Sequence, residues 1–263
     1  MGLIFDAGAA RLYEAWYQSP QGRAMDQLVK DSVFNLLELQ PGERILDIGC
    51  GEGNHLLFFS RLGFNVVGLD ASSYMVRRAR ERLGRQAVLE VGEAEDLPYE
   101  DNEFDVALFI NTIEFLNNPI EALREAGRVA RRRIFITVTN SFSWYCLVMK
   151  LKHFFRESLF THAAFYNLWE LKSYLYSALG DVPIKWRSAQ VQAPVLEKIG
   201  GLLFERRYLE KCPFASFLAL SATIQYTAKT IQTPLKVRLG KAGEPAVEGA
   251  AMGEAKNERS FPL

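Results

Sequence analysis

Arg44-Ile45-Leu46-Asp47-Ile48-Gly49-Cys50-Gly51-Glu52-Gly53-Asn54 decides the fold of this chain. Arg44 to Ile48 reads as a buried strand, because its apolar residues do not alternate cleanly with polar ones. Gly49, Gly51 and Gly53 follow at once, and Asn54 to Leu62 then reads as a helix that stops at Gly63. Strand, glycine turn and helix in that order form the setting of a nucleotide-type loop. Glycine lets the backbone turn tightly and lets a ligand approach where a Cβ would clash. The helix that follows presents free N–H groups and a partial positive charge.

Working outward, the same alternation continues. Asn65–Asp70, Ala87–Val91, Asp105–Ile110 and Ile134–Val138 read as strands. Between them, Ser73–Leu83 carries Met75, Val76, Ala79 and Leu83 on one side, and Pro119–Ala130 has proline in its first turn, where the missing N–H costs nothing. Leu168–Leu179 is a helix closed by Gly180, and Ile184–Ser188 with Ala215–Ala222 forms a closing antiparallel pair. Strands alternating with helices imply parallel pairing through right-handed crossovers. The expected fold is therefore α/β: a Rossmann-like, doubly wound, mostly parallel seven-stranded sheet with a closing antiparallel hairpin and a helical lid. Its ligand belongs beyond the carboxyl ends of the strands, at the topological switch point. The expected organisation is capping helices over 1–40, a binding core over 41–140, an aromatic-rich lid and helix over 141–180, closing strands over 181–230 and a disordered tail over 240–263.

Composition narrows the partners. The 263 residues suffice for one large domain with a sizeable core. Basic and acidic side chains balance at 31 each, so no long-range field draws nucleic acid or anionic lipid, and no nucleic-acid partner is expected. Cys50, Cys146 and Cys212 are odd in number and widely spaced, which argues against a disulfide framework and against structural zinc and fits a reducing cytoplasm. Residues 1–10 do not have the pattern of a secretory signal, and no run reaches the roughly 18 apolar residues of a spanning helix. Peripheral membrane contact stays open.

The glycine loop admits two ligand readings. A dinucleotide fingerprint would place its third glycine where Asn54 stands, and it would set Asp47 against a pyrophosphate, which an acid repels. An acid suits a ligand with a cation and no phosphate, and S-adenosylmethionine carries both an ammonium and a sulfonium. A plain strand–turn–helix without ligand is the bland alternative. The next strand ends in Asp70, about 20 residues beyond the loop, where a carboxylate can accept from both ribose hydroxyls. A helix cap is the competing role, and Ser72 or Ser73 can fill it as well. The third strand leads to Glu93, able to accept from an adenine amino group, and to Ala94, whose N–H can donate to the ring. By themselves the acids of this stretch are an ordinary solvated loop.

Together these motifs resemble the class I S-adenosylmethionine-dependent methyltransferases, in the branch called methyltransferase type 11, which includes ubiquinone/menaquinone-biosynthesis-type enzymes. The resemblance runs from about Phe5 to Ala222 and is densest over Arg44–Val138. Phe5-Asp6-x-x-Ala9-x-x-Tyr13-x-x-Trp16-Tyr17 also resembles the leader that caps the cofactor in that branch. The resemblance implies that Asp47, Gly49, Cys50 and Gly51 surround the methionine end and that Asp70 holds the ribose. It implies that Ala71 and Met75 pack on the adenine, with Glu93 and Ala94 on its edge. Asn111 would meet the methionyl amine through its backbone, and Tyr13 would close over the site. Two departures stand out. The proline-glycine turn usual before the fifth strand is replaced by Arg128-Val129-Ala130-Arg131-Arg132-Arg133, whose arginines are expected to be a solvated helix end favourable to the macrodipole. After the fourth strand, Asn111-Thr112-Ile113-Glu114-Phe115 stands where a histidine or aromatic pair is common.

The implied reaction transfers a methyl group from S-adenosylmethionine to a small acceptor by in-line displacement. The sulfonium is already activated, so positioning can supply on the order of 7–11 kcal/mol and a base is optional. Among candidate bases, His55 reads as structural, His153 and His162 lie in the expected lid, and Glu114 sits past the fourth strand. None is assigned, and no metal site is expected. Trp144, Leu147, Val148, Leu151, Phe154 and Phe155 recur at helical spacing. They read as a helix packed on the core or, alternatively, as an apolar wall that would select a hydrophobic or aromatic acceptor. Two other functions remain open: a cofactor-binding partner subunit without catalysis, and an NAD-dependent oxidoreductase.

Overall fold

The structure is a computed structural model that describes residues 4–147, 163–190 and 211–224, all within one unit spanning Met1–Gln225. Two helices come first: α1 (Ala7–Tyr17), capped by Asp6, and α2 (Pro20–Leu36), capped by Ser19 with proline at its start. The alternating region follows as β1 (Arg44–Ile48), α3 (Asn54–Arg61), β2 (Asn65–Asp70), α4 (Ser73–Leu83), β3 (Val88–Val91), β4 (Phe104–Ile110), α5 (Pro119–Val129) and β5 (Ala130–Thr139). After it come α6 (Leu168–Leu179), β6 (Ile184–Ala189) and β7 (Phe217–Thr223). Asn167 and Glu170 form a reciprocal capping box at the start of α6.

The seven strands lie in the order β3-β2-β1-β4-β5-β7-β6. The pairs from β3 through β5 are parallel, and β7 inserts antiparallel between β5 and β6. The expected fold class is observed. The chain leaves β1 toward β2 on one side and later returns to β4 on the other, so the switch point lies above β1 and β4.

Side-chain alternation divides the core between the two faces of the sheet. Leu46, Ile48, Ala107, Phe109 and Ile136 pack with Leu123 and Ala126 of α5 and Leu171 and Leu175 of α6. Ile45, Val106, Leu108 and Phe135 pack with Val29 and Val33 of α2, Phe59 of α3 and Val76 of α4. Asp47 follows Ile45 by two residues and therefore points to the face covered by α2 and α3.

The arginine run corrects the sequence expectation. Arg131, Arg132 and Arg133 are not a solvated helix end; α5 passes directly into β5 at Ala130, and all three belong to the strand. Arg131 Nη2 lies 2.7 Å from Asp105 Oδ1, while Arg132 pairs with Glu43 and Arg133 donates to the Leu37 carbonyl. Buried Glu43 and Asp105 sit at the amino ends of β1 and β4. Charged partners there make the arginine run a seam along the lower sheet edge, which replaces the missing turn. The lid expectations for residues 148–162, including His153, His162, Phe154 and Phe155, and the tail from 240 lie outside the described residues.

Candidate functional site

Above the carboxyl ends of β1, β2 and β4 lies a crevice enclosing about 1040 Å³ of non-atom space, part of it open to solvent. Its walls include Tyr13, Gly49, Cys50, Gly51, Asp70, Ala71, Met75, Glu93, Ala94 and Asn111. Ten of the eleven residues named from the sequence thus meet around one opening.

The floor is the glycine loop. Gly49 has φ +74°, and its N–H donates to the Leu69 carbonyl at 2.7 Å. Gly51 has φ +54°, and a Cβ there would meet no atom within 4 Å, so the loop backbone is bare toward the crevice. Asp70 closes one side. Its Oδ2 accepts from Gly51 N at 2.9 Å and its Oδ1 from Ser72 N at 2.8 Å, while Ser72 itself caps α4. Burial pushes the Asp70 carboxyl up, and these two donors oppose that shift. The carboxylate has about four lone-pair sites, so acceptor capacity remains for ligand hydroxyls.

Across the crevice the amino-terminal segment forms a roof. Ser72 Oγ donates to the Phe5 carbonyl, and the Phe5 ring packs edge-on against Phe115 at 5.3 Å and Tyr13 at 6.1 Å. Asn111 ends β4 in a left-handed turn (φ +52°), with its N–H donating to the Thr137 carbonyl at 3.0 Å. Asparagine tolerates that conformation better than most residues.

Asp47 is not part of the wall. It is 1% exposed, its two carboxylate oxygens have no hydrogen-bond partner, and burial pushes its carboxyl up to about 7. Neighbouring His55 draws that value down and Asp70 adds to the rise. Two orphaned oxygens beneath the loop leave a negative potential unspent, and a cationic ligand above would use it. The Tyr13 hydroxyl registers the same field: burial, then Asp47, Asp26, Glu52 and Asp70, all disfavour its ionisation. Burial likewise keeps Cys50 a thiol.

Glu114 also lies outside the crevice. It is 4% exposed, accepts from Thr139 N at Oε1 (3.0 Å) and has no partner at Oε2. Its carbonyl accepts from Ala164 N at 2.8 Å. Burial pushes its carboxyl up to about 7. A native carboxyl that holds its proton more tightly than the unfolded chain stabilises fully below about 4.5 and loses that contribution as pH rises toward 7. Glu114→Gln keeps an oxygen for Thr139, so melting temperature recorded across pH 4.5–7.5 should fall less steeply than in the parent. An equally steep fall would show that Glu114 is ionised throughout.

Sequence reasoning missed other wall residues. Thr112 packs against the bare face of Gly49, and Phe115 and Leu116 line the far side. His55, read as structural, is buried and also lines the crevice. A histidine in the first turn after a glycine loop was the available signal. Among the described residues no cluster of His, Cys, Asp and Glu is arranged to hold a metal, and no helix is long and apolar enough to cross a membrane.

Residues 46–136 match the family model described as a methyltransferase domain. The chain is 28% identical over 147 residues to 27-O-demethylrifamycin SV methyltransferase of Amycolatopsis mediterranei, covering 50% of this chain and 54% of that protein. It is 34% identical over 109 residues to the ubiquinone/menaquinone biosynthesis C-methyltransferase of Ruegeria sp., covering 39% and 44%. The chain thus spans about half the length, or less, of these curated relatives. A crystal structure of magnesium protoporphyrin IX methyltransferase from Synechocystis, with bound SAH, superposes with TM-score 0.59 at 16% identity over 84% of this chain and 96% of that one. At that identity the likeness establishes the fold.

Proposed function

We propose that this chain, which carries a methyltransferase domain at residues 46–136, binds S-adenosylmethionine in the crevice and transfers its methyl group to a small hydrophobic or aromatic acceptor. The observation that carries the reading is the pairing of a bare glycine floor with one buried, unsatisfied acid. Asp47 lies beneath the loop with both oxygens unpartnered, and the partnered acids Asp26, Glu52 and Asp70 add to its field at Tyr13. Such a field favours a sulfonium and an ammonium and opposes a pyrophosphate, which counts against the NAD alternative.

In this reading Asp70 accepts from the ribose hydroxyls, Ala71 and Met75 flank the adenine, and Glu93 and Ala94 meet its edge. The Asn111 backbone and the loop around Gly49 to Gly51 hold the amino-acid end, and Tyr13 closes above it. When bound, S-adenosylmethionine supplies an activated methyl group that an acceptor nucleophile displaces in line. The chain contributes orientation and exclusion of water, and no side chain is assigned as base. Ile4, Phe5, Phe115 and Leu116 give the rim an apolar character, which suits a hydrophobic acceptor. Three widely spaced cysteines, Cys50, Cys146 and Cys212, fit a cytoplasmic setting.

Calorimetry with S-adenosylmethionine, S-adenosylhomocysteine and NAD tests the proposal. The first two should bind and NAD should not. Asp70→Ala should weaken nucleoside binding by about 1.5–3 kcal/mol, the worth of charge-assisted hydrogen bonds. NAD binding in preference to S-adenosylhomocysteine would overturn it. Turnover on a panel of phenols, quinones and lipids then addresses the acceptor.

A further inference from the structure

Beyond the carboxyl end of β5, aromatic side chains stand in water instead of in the core. Phe142 lies in the turn after β5 and Trp144 two residues on, Trp169 lies in the first turn of α6, and Phe214 in the turn before β7. All four are more than half exposed. Three of them form a row, with the Trp169 ring 6.0 Å from Phe142 and 6.2 Å from Phe214, centroid to centroid. Leu147, three residues beyond Trp144, is exposed as well.

The rings are held from beneath. Asn140, fully buried directly after β5, donates from Nδ2 to the Pro213 carbonyl at 2.8 Å and to the Ala215 carbonyl at 2.7 Å, and its Oδ1 accepts from Phe142 N at 3.1 Å. One buried amide thus fixes the two turns that carry Phe142 and Phe214. Ser141 N donates to the Tyr166 carbonyl at 3.1 Å, just before the Asn167 that caps α6, and so ties in the helix that carries Trp169. Two residues earlier, Ala164 N donates to the Glu114 carbonyl at 2.8 Å, next to Phe115 and Leu116 of the crevice wall. Patch and crevice therefore share one framework at one end of the sheet. Apolar surface presented this rigidly to water is costly unless something covers it.

The chemistry around the patch selects the occupant. Lys172 and Lys211 stand three residues from Trp169 and Phe214 in the chain. Glu170, the acid beside Trp169, accepts from Asn167 N at 2.8 Å. The sequence that follows Leu147 directly, residues 148–162, sets Lys150, Lys152 and Arg156 against the single acid Glu157, among Leu151, Phe154 and Phe155. Rings interleaved with cations are the composition of a lipid interface, where aromatic side chains sit at headgroup level and cations meet phosphate. We propose that Phe142, Trp144, Trp169 and Phe214 rest on a lipid bilayer, their rings entering its interfacial zone. The inference does not depend on what the crevice binds. Basic and acidic side chains balance over the whole chain, so burial of the rings, and not long-range attraction, carries the association.

The test is flotation of the full chain with vesicles of phosphatidylcholine, alone and mixed with phosphatidylglycerol. The parent should float with both, its tryptophan emission should shift to the blue, and lipids brominated near the headgroup should quench it. Trp169→Ser and Phe214→Ser should each weaken partitioning, and a variant with all four rings replaced by serine should lose about tenfold or more. These side chains are exposed, so melting temperature should stay close to the parent's. Phe34→Ser, at an exposed ring of α2 outside the patch, should leave partitioning unchanged. Absence of flotation with either vesicle overturns the proposal, as does full retention in the four-ring variant. Flotation only where phosphatidylglycerol is present would mark a purely electrostatic contact and overturns it too. So would a lipid-free dimer, seen by ultracentrifugation, that the four-ring variant abolishes, since the patch would then cover a second copy of the chain.

Discussion

Asp47→Asn is expected to stabilise the ligand-free chain above pH 7 while weakening its hold on S-adenosylmethionine. Burial raises this carboxyl from 3.8 to about 7, and neither oxygen has a partner. The native state therefore binds the proton more tightly than the unfolded chain. Its contribution to stability is full below about 3.8 and is lost as pH rises through about 7. At 1.36 kcal/mol per unit, the cost of ionising the buried group approaches about 4 kcal/mol. Asparagine removes the ionisation but buries an amide, which returns about 1–3 kcal/mol of that gain. The net expectation at pH 8–9 is a gain of roughly 1–3 kcal/mol, read from denaturant or thermal unfolding. Ligand binding moves the other way. A cation above the loop favours the ionised carboxylate, so the parent should release a proton on binding and gain affinity as pH rises toward 7. The variant should lose about tenfold to a hundredfold in affinity and show no such pH dependence. Equal affinity in both proteins across pH 6–8 would mean that the field of Asp47 does not reach the ligand.

Gly49→Ala should cost about 2–5 kcal/mol and abolish ligand binding, through two separable strains. The residue has φ +74°, a left-handed conformation that costs an L-residue about 1–2 kcal/mol. Its Cβ would also stand 2.2 Å from Thr112 Cγ2 and 2.6 Å from Thr112 Oγ1. Thr112 is 8% exposed and its hydroxyl is 3.2 Å from the Ile110 carbonyl, so it has little room to yield. Overpacking of this kind costs typically about 1–3 kcal/mol. Adding Thr112→Ala removes both nearest atoms and leaves only the Thr112 Cβ, at 2.9 Å. The double variant should recover part of the packing share and retain the backbone share, a positive coupling in a double-mutant cycle. Additive single effects would refute the contact. Unaltered ligand affinity in Gly49→Ala would show that the ligand does not depend on the shape of this turn.

Much of the candidate site was legible because the features that carry it are local. Asp70 could be placed at a strand end from five preceding residues, and the glycines announced a tight turn before any contact was known. Thr112 was not legible, because the reason for its importance is a bare face of Gly49 contributed from 63 residues away. Asp47 was recognised as an acid at the loop, but its distance from the wall was not. Alternation along β1 places it with Ile45, and only the packed helices show that this face is dry. Glu114 shows the same limit: its position after β4 made it a candidate base, and only the packed structure shows it buried with Thr139 and residue 164 as hydrogen-bond partners.

By itself the sequence determined the order of strands and helices, the parallel core and the row of acids at the strand ends. Each follows from hydrophobic period, turn chemistry or spacing within a few residues. Tertiary structure alone decided that β7 lies between β5 and β6, and that Arg132 meets Glu43 across 89 residues. It alone brought Tyr17, Asp26 and His55 together. The physical reason is that period fixes which side of an element is apolar, whereas the identity and dryness of the opposing surface depend on closures between distant parts of the chain, which local pattern does not encode.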